Sequence, residues 1–171
     1  MVQIFFRLYN AGVPPSARAS LPVRLIATSL GAGYSPIAPG TCGTLTAIPL
    51  AWGLAKLGAI AFGAGFLVVT AIGTWAAEHF CRASGTHDDQ RVVIDEVAGY
   101  LLTLMPVAKT PINLALAFFL FRLFDIWKPP PISWLDRHVK GGFGIMLDDV
   151  MAAIYALALI LIAEGALGVR P

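Results

Sequence analysis

The sequence predicts an all-α fold: a multi-helical integral membrane bundle with short helices and a polar site facing the cytoplasm. Three observations predict it. The 171 residues are 57% hydrophobic and only 13% charged, whereas soluble domains average about 45–50% apolar and about 25% charged. Mean hydropathy is +0.75, an apolar surplus that calls for hydrocarbon as solvent. The apolar residues also come in long runs, with no alternating strand pattern long enough to outweigh helices. The competing description is an unusually apolar water-soluble helical domain.

Residues 1–30 read as a loose, interfacial N-terminal segment, and residues 31–171 as a membrane-embedded domain. The opening MVQIFFRLYN is only briefly apolar and is broken by Arg7, so it is not a secretory signal. Next comes GAGYSPIAPGTCGT at residues 31–44, dense in Gly and Pro and expected to be a shaped loop. Residues 45–77 carry one charge, Lys56, and are too long for one span of about 20 residues. They split into two helices near residues 56–59, with Pro49 near the start of the first, where its missing N–H does least harm.

The polar run EHFCRASGTHDDQRVVI, residues 78–94, is expected to be a loop leading into a helix over residues 91–105. Thr110 followed by Pro111 reads as an N-cap and first helical position, opening INLALAFFLFRLFDIW, which ends where Lys128 meets three prolines. At about 15 residues each these two helices span about 22 Å, less than the roughly 30 Å hydrocarbon core. A shallow hairpin with both charged ends at one face follows. GGFG is expected to be a hinge before a last helix over residues 145–167.

A net charge of +2, small and scattered, argues against nucleic-acid binding. Arg7, Arg18 and Arg24 precede any acid, and most other charges fall in residues 78–96 and 122–149. Basic residues near span ends favour the cytoplasmic side, which places the N-terminus and both clusters there. Cys42 and Cys81 are too few for a disulfide framework.

The chemistry lies in the carboxylates. An aspartate at mid-membrane costs roughly 2.5–3.5 kcal/mol, so several require an interface, basic partners or a metal. Asp148 and Asp149 taken alone fit helix N-terminal charges, worth about 0.3–1 kcal/mol each. However, Asp95 and Glu96 open another apolar helix and Asp125 closes a third. Their convergence would make a hard oxygen-ligand site suited to Mg²⁺. Adjacent helical residues point about 100° apart, so one of each pair is expected to face the ion.

Arg122, Lys128, Arg137 and Lys140 fit either ordinary ion pairs on a solvated face or a clamp for a phosphate group. The loop residues Thr41, Gly43 and Thr44 can cradle an anion at a helix start, or simply turn the chain into that helix. Pro36 spoils a G-x-G-x-x-G match, and no Lys-Ser/Thr follows for a P-loop. A Cys-x₅-Arg nucleophile would need Arg at positions occupied by Ile48 and His87, and there is no Asp-x-Asp pair. His87, beside Asp88, is a candidate ligand or proton carrier.

Together, SPIAPGTCGT, GTHDDQRVVIDEVAGYLLTL and FFLFRLFDIWKPPPISWLDRHVKGGFGIMLDDV closely resemble, in order and spacing, the blocks of bacterial phosphatidylglycerophosphatase A over roughly residues 28–160. The resemblance implies a Mg²⁺-dependent phosphatase of the bacterial inner membrane. It would remove the terminal phosphate of phosphatidylglycerophosphate to yield phosphatidylglycerol. It implies acidic site residues Asp95, Glu96, Asp125, Asp148 and Asp149, the catalytic ones among them being Asp95, Glu96, Asp125 and Asp149, with Arg122, Lys128, Arg137 and Lys140 as the basic set. Pro130 and Ile94 stand where the family favours aromatics, and neither change touches a charge. Attack by water and attack by an aspartate are both compatible with these residues, and so is an oligomer. Two further readings stay open: a non-enzymatic membrane module binding anionic lipid headgroups, and a phosphatase for another lipid phosphate.

Overall fold

The computed structural model describes residues 18–166. Among them the chain forms seven α-helices and no strand: α1 (Leu21–Ala27), α2 (Pro39–Lys56), α3 (Ala59–Ser84), α4 (Ile94–Leu104), α5 (Pro111–Trp127), α6 (Ile132–His138) and α7 (Gly141–Ala166), with a 3-10 turn at Ala32–Tyr34. The all-α expectation holds. Helix α7 is the axis of the bundle and packs against α3, α4, α5 and α6.

Several boundaries differ from expectation, each for a steric or electrostatic reason. Helix α2 begins at Pro39, inside the expected loop, so Pro49 sits mid-helix. The glycines that looked like loop formers are contact points: a Cβ on Gly40 would lie 2.1 Å from Glu96 Oε1, and one on Gly43 2.6 Å from Val93 Cβ. Helix α3 continues to Ser84 and ends on Gly85 at φ +75°, which shortens the polar loop to residues 85–93. Its last turns are polar because Glu78 and Arg82 form an i,i+4 pair at 2.7 Å, a wet helical face and not a loop.

GGFG is no hinge either. It forms the first turn of α7, where a Cβ on Gly142 would lie 2.3 Å from the Thr74 carbonyl oxygen; glycine lets α7 cross α3 backbone to backbone. The Gly142 N–H is held by Glu78. Asp148 and Asp149 therefore lie two turns inside α7, whose first turn has no acid, and helix N-terminal charge does not explain them. Within the expected loose N-terminal segment, α1 buries Val23 and Ala27, and Ala27 accepts the Val93 N–H at 2.9 Å; residues 1–17 and the expected end of the last helix at Leu167 lie outside the described residues.

The expected hairpin is present. Thr110 caps α5 by accepting the Asn113 N–H at 3.2 Å, and α4 and α5 bring Asp95 and Glu96 alongside Arg122 and Asp125. Tyr100, Leu101, Leu104 and Phe121 pack fully buried behind these charges. Two helices, α3 and α7, each 26 residues, are long and apolar enough to cross a membrane. Much of their apolar surface faces outward: Leu67 on α3 is 64% exposed and Ile162 on α7 is 67% exposed.

Candidate active site

At the charged end of the bundle a cavity of about 490 Å³ opens between the start of α2, the residue 87–92 loop, the start of α4, the end of α5, the α6 segment and the start of α7. Seven carboxylates line it, those of Asp88, Asp95, Glu96, Asp125, Asp136, Asp148 and Asp149, against four cations, Arg122, Lys128, Arg137 and Lys140. The sequence-predicted acids and the entire basic set thus share one wall.

The charges are not equivalent. One carboxylate oxygen from each of Asp95, Glu96 and Asp149 lies within 4.8 Å of the other two. Asp95 Oδ1, Glu96 Oε2 and Asp149 Oδ2 are buried and have no hydrogen-bond partner. Burial, then the neighbouring Glu96 charge, holds the Asp95 carboxyl well above the ordinary carboxylate range. Glu96 is also raised, by burial first, with its hydrogen bond from Asp95 and the Arg122 charge pulling the other way. An orphaned buried oxygen costs about 1–3 kcal/mol, and like charges this close add repulsion. Three carboxylates gathered this closely, each with a buried unpartnered oxygen, fit a hard divalent cation.

The other acids are matched by bases. Arg122, with 14% of its side chain exposed, binds Asp125 and stands 3.5 Å from Glu96. Lys128 binds Asp148 and, at 2.9 Å, Asp136; the two carboxylates outweigh burial and raise its pKa. Residues 148 and 149 diverge as their helical spacing requires: Asp148 turns to Lys128 and Asp149 to the oxygen trio. The pair at 95 and 96 does not diverge, since both join the trio.

Arg137 and Lys140 are exposed and, among the described residues, neither makes an ion pair or a side-chain hydrogen bond. His87 and Asp88 stand exposed at the rim. Asp89 is buried in a two-pronged pair with Arg91, at 2.7 and 2.6 Å, which holds its pKa down and fixes the loop.

Thr41, Gly43 and Thr44 are absent from the cavity wall, and the Thr44 hydroxyl is fully buried and donates to the Gly40 carbonyl at 2.9 Å. The α2 residues that border the cavity are Ala38, Pro39 and Gly40. Ala38 holds a left-handed φ of +48°, and so does Lys128 at φ +45°; backbone strain of this kind, about 1–3 kcal/mol per residue, collects at functional sites. Sequence reasoning missed Gly40, one residue from those it selected, and Asp136, which reaches Lys128 only because the proline turn folds α6 back.

The sequence profile described as phosphatidylglycerophosphatase A matches residues 25–164. The chain is similar to phosphatidylglycerophosphatase A of Escherichia coli K12, 37% identical over 147 residues that cover 84% of each chain. It is also similar to that of Haemophilus influenzae, 38% identical over 144 residues, 81% of this chain and 86% of the relative. A Bacteroides thetaiotaomicron protein provisionally named phosphatidylinositol-3-phosphatase is 40% identical over 160 residues, 86% of this chain and 96% of its own. No solved structure matches the chain. By the matched profile and these identities over most of its length, the chain belongs to the phosphatidylglycerophosphatase A family.

Proposed function

We propose that this chain is a Mg²⁺-dependent lipid phosphatase that hydrolyses phosphatidylglycerophosphate to phosphatidylglycerol and phosphate, a step of phospholipid biosynthesis. The observation that carries the reading is the carboxylate trio Asp95, Glu96 and Asp149, whose oxygens come within 4.8 Å of one another and which each bury one oxygen without a hydrogen-bond partner, inside a cavity of headgroup size, in a chain of this family. Seven carboxylates line the wall against four cations, so an anionic phosphomonoester meets no surplus of positive charge there unless a cation intervenes. Asp95, Glu96 and Asp149 would hold Mg²⁺, with Asp125 beside them and Asp148 at the edge. When bound, Mg²⁺ supplies the positive charge that draws the phosphoryl oxygens in and stabilises charge on them.

The chain's own groups do the rest. Arg122 pairs with Asp125 and Lys128 with Asp148, and each pair holds its carboxylate in place. The N-terminal end of α2, whose first N–H groups have no helical partner, presents its positive pole to the cavity. The attacking group is water or an aspartate, and a substrate made chiral at the terminal phosphorus separates them: inversion in the released phosphate identifies direct attack by water, and net retention identifies an aspartyl phosphate.

The substrate argues for a membrane location, supported by the exposed apolar faces of α3 and α7. We place the protein in the bacterial inner membrane with the cavity toward the cytoplasm, where the basic residues around it favour that side. An Arg137→Cys variant should resist an impermeant thiol reagent applied outside spheroplasts and react in inverted vesicles; the opposite pattern reverses the orientation. The activity test is phosphate release from phosphatidylglycerophosphate micelles. Release should stop with EDTA and return with Mg²⁺, and release that ignores EDTA would contradict the metal assignment. Phosphatidylinositol 3-phosphate is the competing substrate to include. Both lipids carry a monoester at the headgroup tip and a diester at its base.

A further inference from the structure

We propose that Arg137 and Lys140 form a subsite for the phosphodiester at the base of the lipid headgroup, while Arg122 and Lys128 serve as positioning residues for the carboxylates. This rests on the lipid-phosphatase reading and divides its basic set by task. Arg122 and Lys128 each already touch two carboxylates, so a phosphate would have to displace an existing partner from either. Arg137 and Lys140 line the same cavity with no such partner among the described residues, and a cation left in water gains most from an incoming anion. Arg137 in addition offers a planar fork that matches two phosphate oxygens.

Their mounting is firm despite their exposure. Helix α6 is anchored by fully buried Ile132 and by Asp136, the neighbour of Arg137, which Lys128 holds at 2.9 Å. Lys140 directly precedes α7. Trp134 on the same short helix is 56% exposed and stacks on His138 with ring centroids 4.6 Å apart. An outward tryptophan beside cations marks the headgroup level of a bilayer, which is the depth of the diester. The Asp95, Glu96 and Asp149 carboxylates line the same cavity, where the monoester, one glycerol unit further along the headgroup, would be received.

The test uses a lipid with the diester and no monoester. Monomeric short-chain phosphatidylglycerol, titrated calorimetrically into the detergent-solubilised full chain, should bind at least about tenfold more weakly to the Arg137→Gln/Lys140→Gln variant, one charge-assisted contact being worth about that much. Exchanging the charges in kind, Arg137→Lys/Lys140→Arg, should recover most of the affinity, which a merely structural role would not. In turnover, the double variant should lose about tenfold more kcat/KM on phosphatidylglycerophosphate than on phosphatidic acid, which lacks the diester. Unchanged titration, or equal losses on both lipids, overturns the subsite. If the wild-type protein hydrolyses neither lipid, the phosphatase reading is what fails, and the titration still decides the subsite.

Discussion

The two halves of α7 reverse the usual order of a water-soluble helix. Toward its start, Asp148 and Asp149 are 6% and 3% exposed, among buried Gly142, Gly144 and Met146. Toward its end, Ile154, Leu159, Leu161 and Ile162 are turned outward. In water both halves are unfavourable, since a buried carboxylate without a basic partner, as at Asp149, and exposed hydrocarbon each raise the free energy. The contrast is resolved if the first half faces a bound cation and the second faces lipid. On that reading one helix would carry both the site and its anchorage.

Breaking the acidic half should have the largest effect. Asp149→Asn keeps the shape and removes one ligand charge; we expect kcat/KM for phosphatidylglycerophosphate to fall about a thousandfold, about 4 kcal/mol, in a phosphate-release assay. In the metal-free protein the same change should raise the melting temperature, because it removes a buried uncompensated charge. Breaking the apolar half comes next: Ile154→Lys, in mid-helix, should cost about 2.5–3.5 kcal/mol of insertion, read as a smaller membrane-bound fraction, whereas a water-soluble protein would become more soluble. Gly142→Ala acts where α7 meets α3 and should destabilise by about 1–3 kcal/mol through overpacking, seen as a lower denaturation midpoint.

The smallest effect is on pH dependence. Asp95 and Glu96 have folded pKa values raised above those of the unfolded chain, so the folded state binds protons more tightly. Metal-free stability should be greatest at acid pH and fall as pH rises above the ordinary carboxylate range. Saturating Mg²⁺ should flatten or reverse that slope.

Much of this was legible in the residues. Apolar runs gave the helices, Thr110 and Pro111 marked an N-terminus correctly, and the carboxylate positions pointed to one convergent face because each lies beside a Gly, Pro or charge-rich break. What was not legible depends on the third dimension. Gly40, Gly43 and Gly142 look like loop formers, yet each sits in a helix at a close approach to another element, and no local pattern separates the two uses. The Glu78 to Ser84 stretch reads as a loop by polarity, although its polarity belongs to a solvated helical face. Asp136 looked unconnected because its partner Lys128 lies across a proline turn. The division of the bases into paired and free also needed coordinates, since spacing alone made Arg122, Lys128, Arg137 and Lys140 look alike.

The central claim is that Asp95, Glu96 and Asp149 share one divalent cation. Anomalous diffraction from crystals of the protein grown with Mn²⁺ in place of Mg²⁺ tests it most directly. A manganese peak is expected within bonding distance, about 2.0–2.3 Å, of oxygens from all three residues, with no such peak in Asp149→Asn. A cavity without manganese at saturating concentration, or a peak held only by Asp88, Asp136 and Asp148, would contradict it.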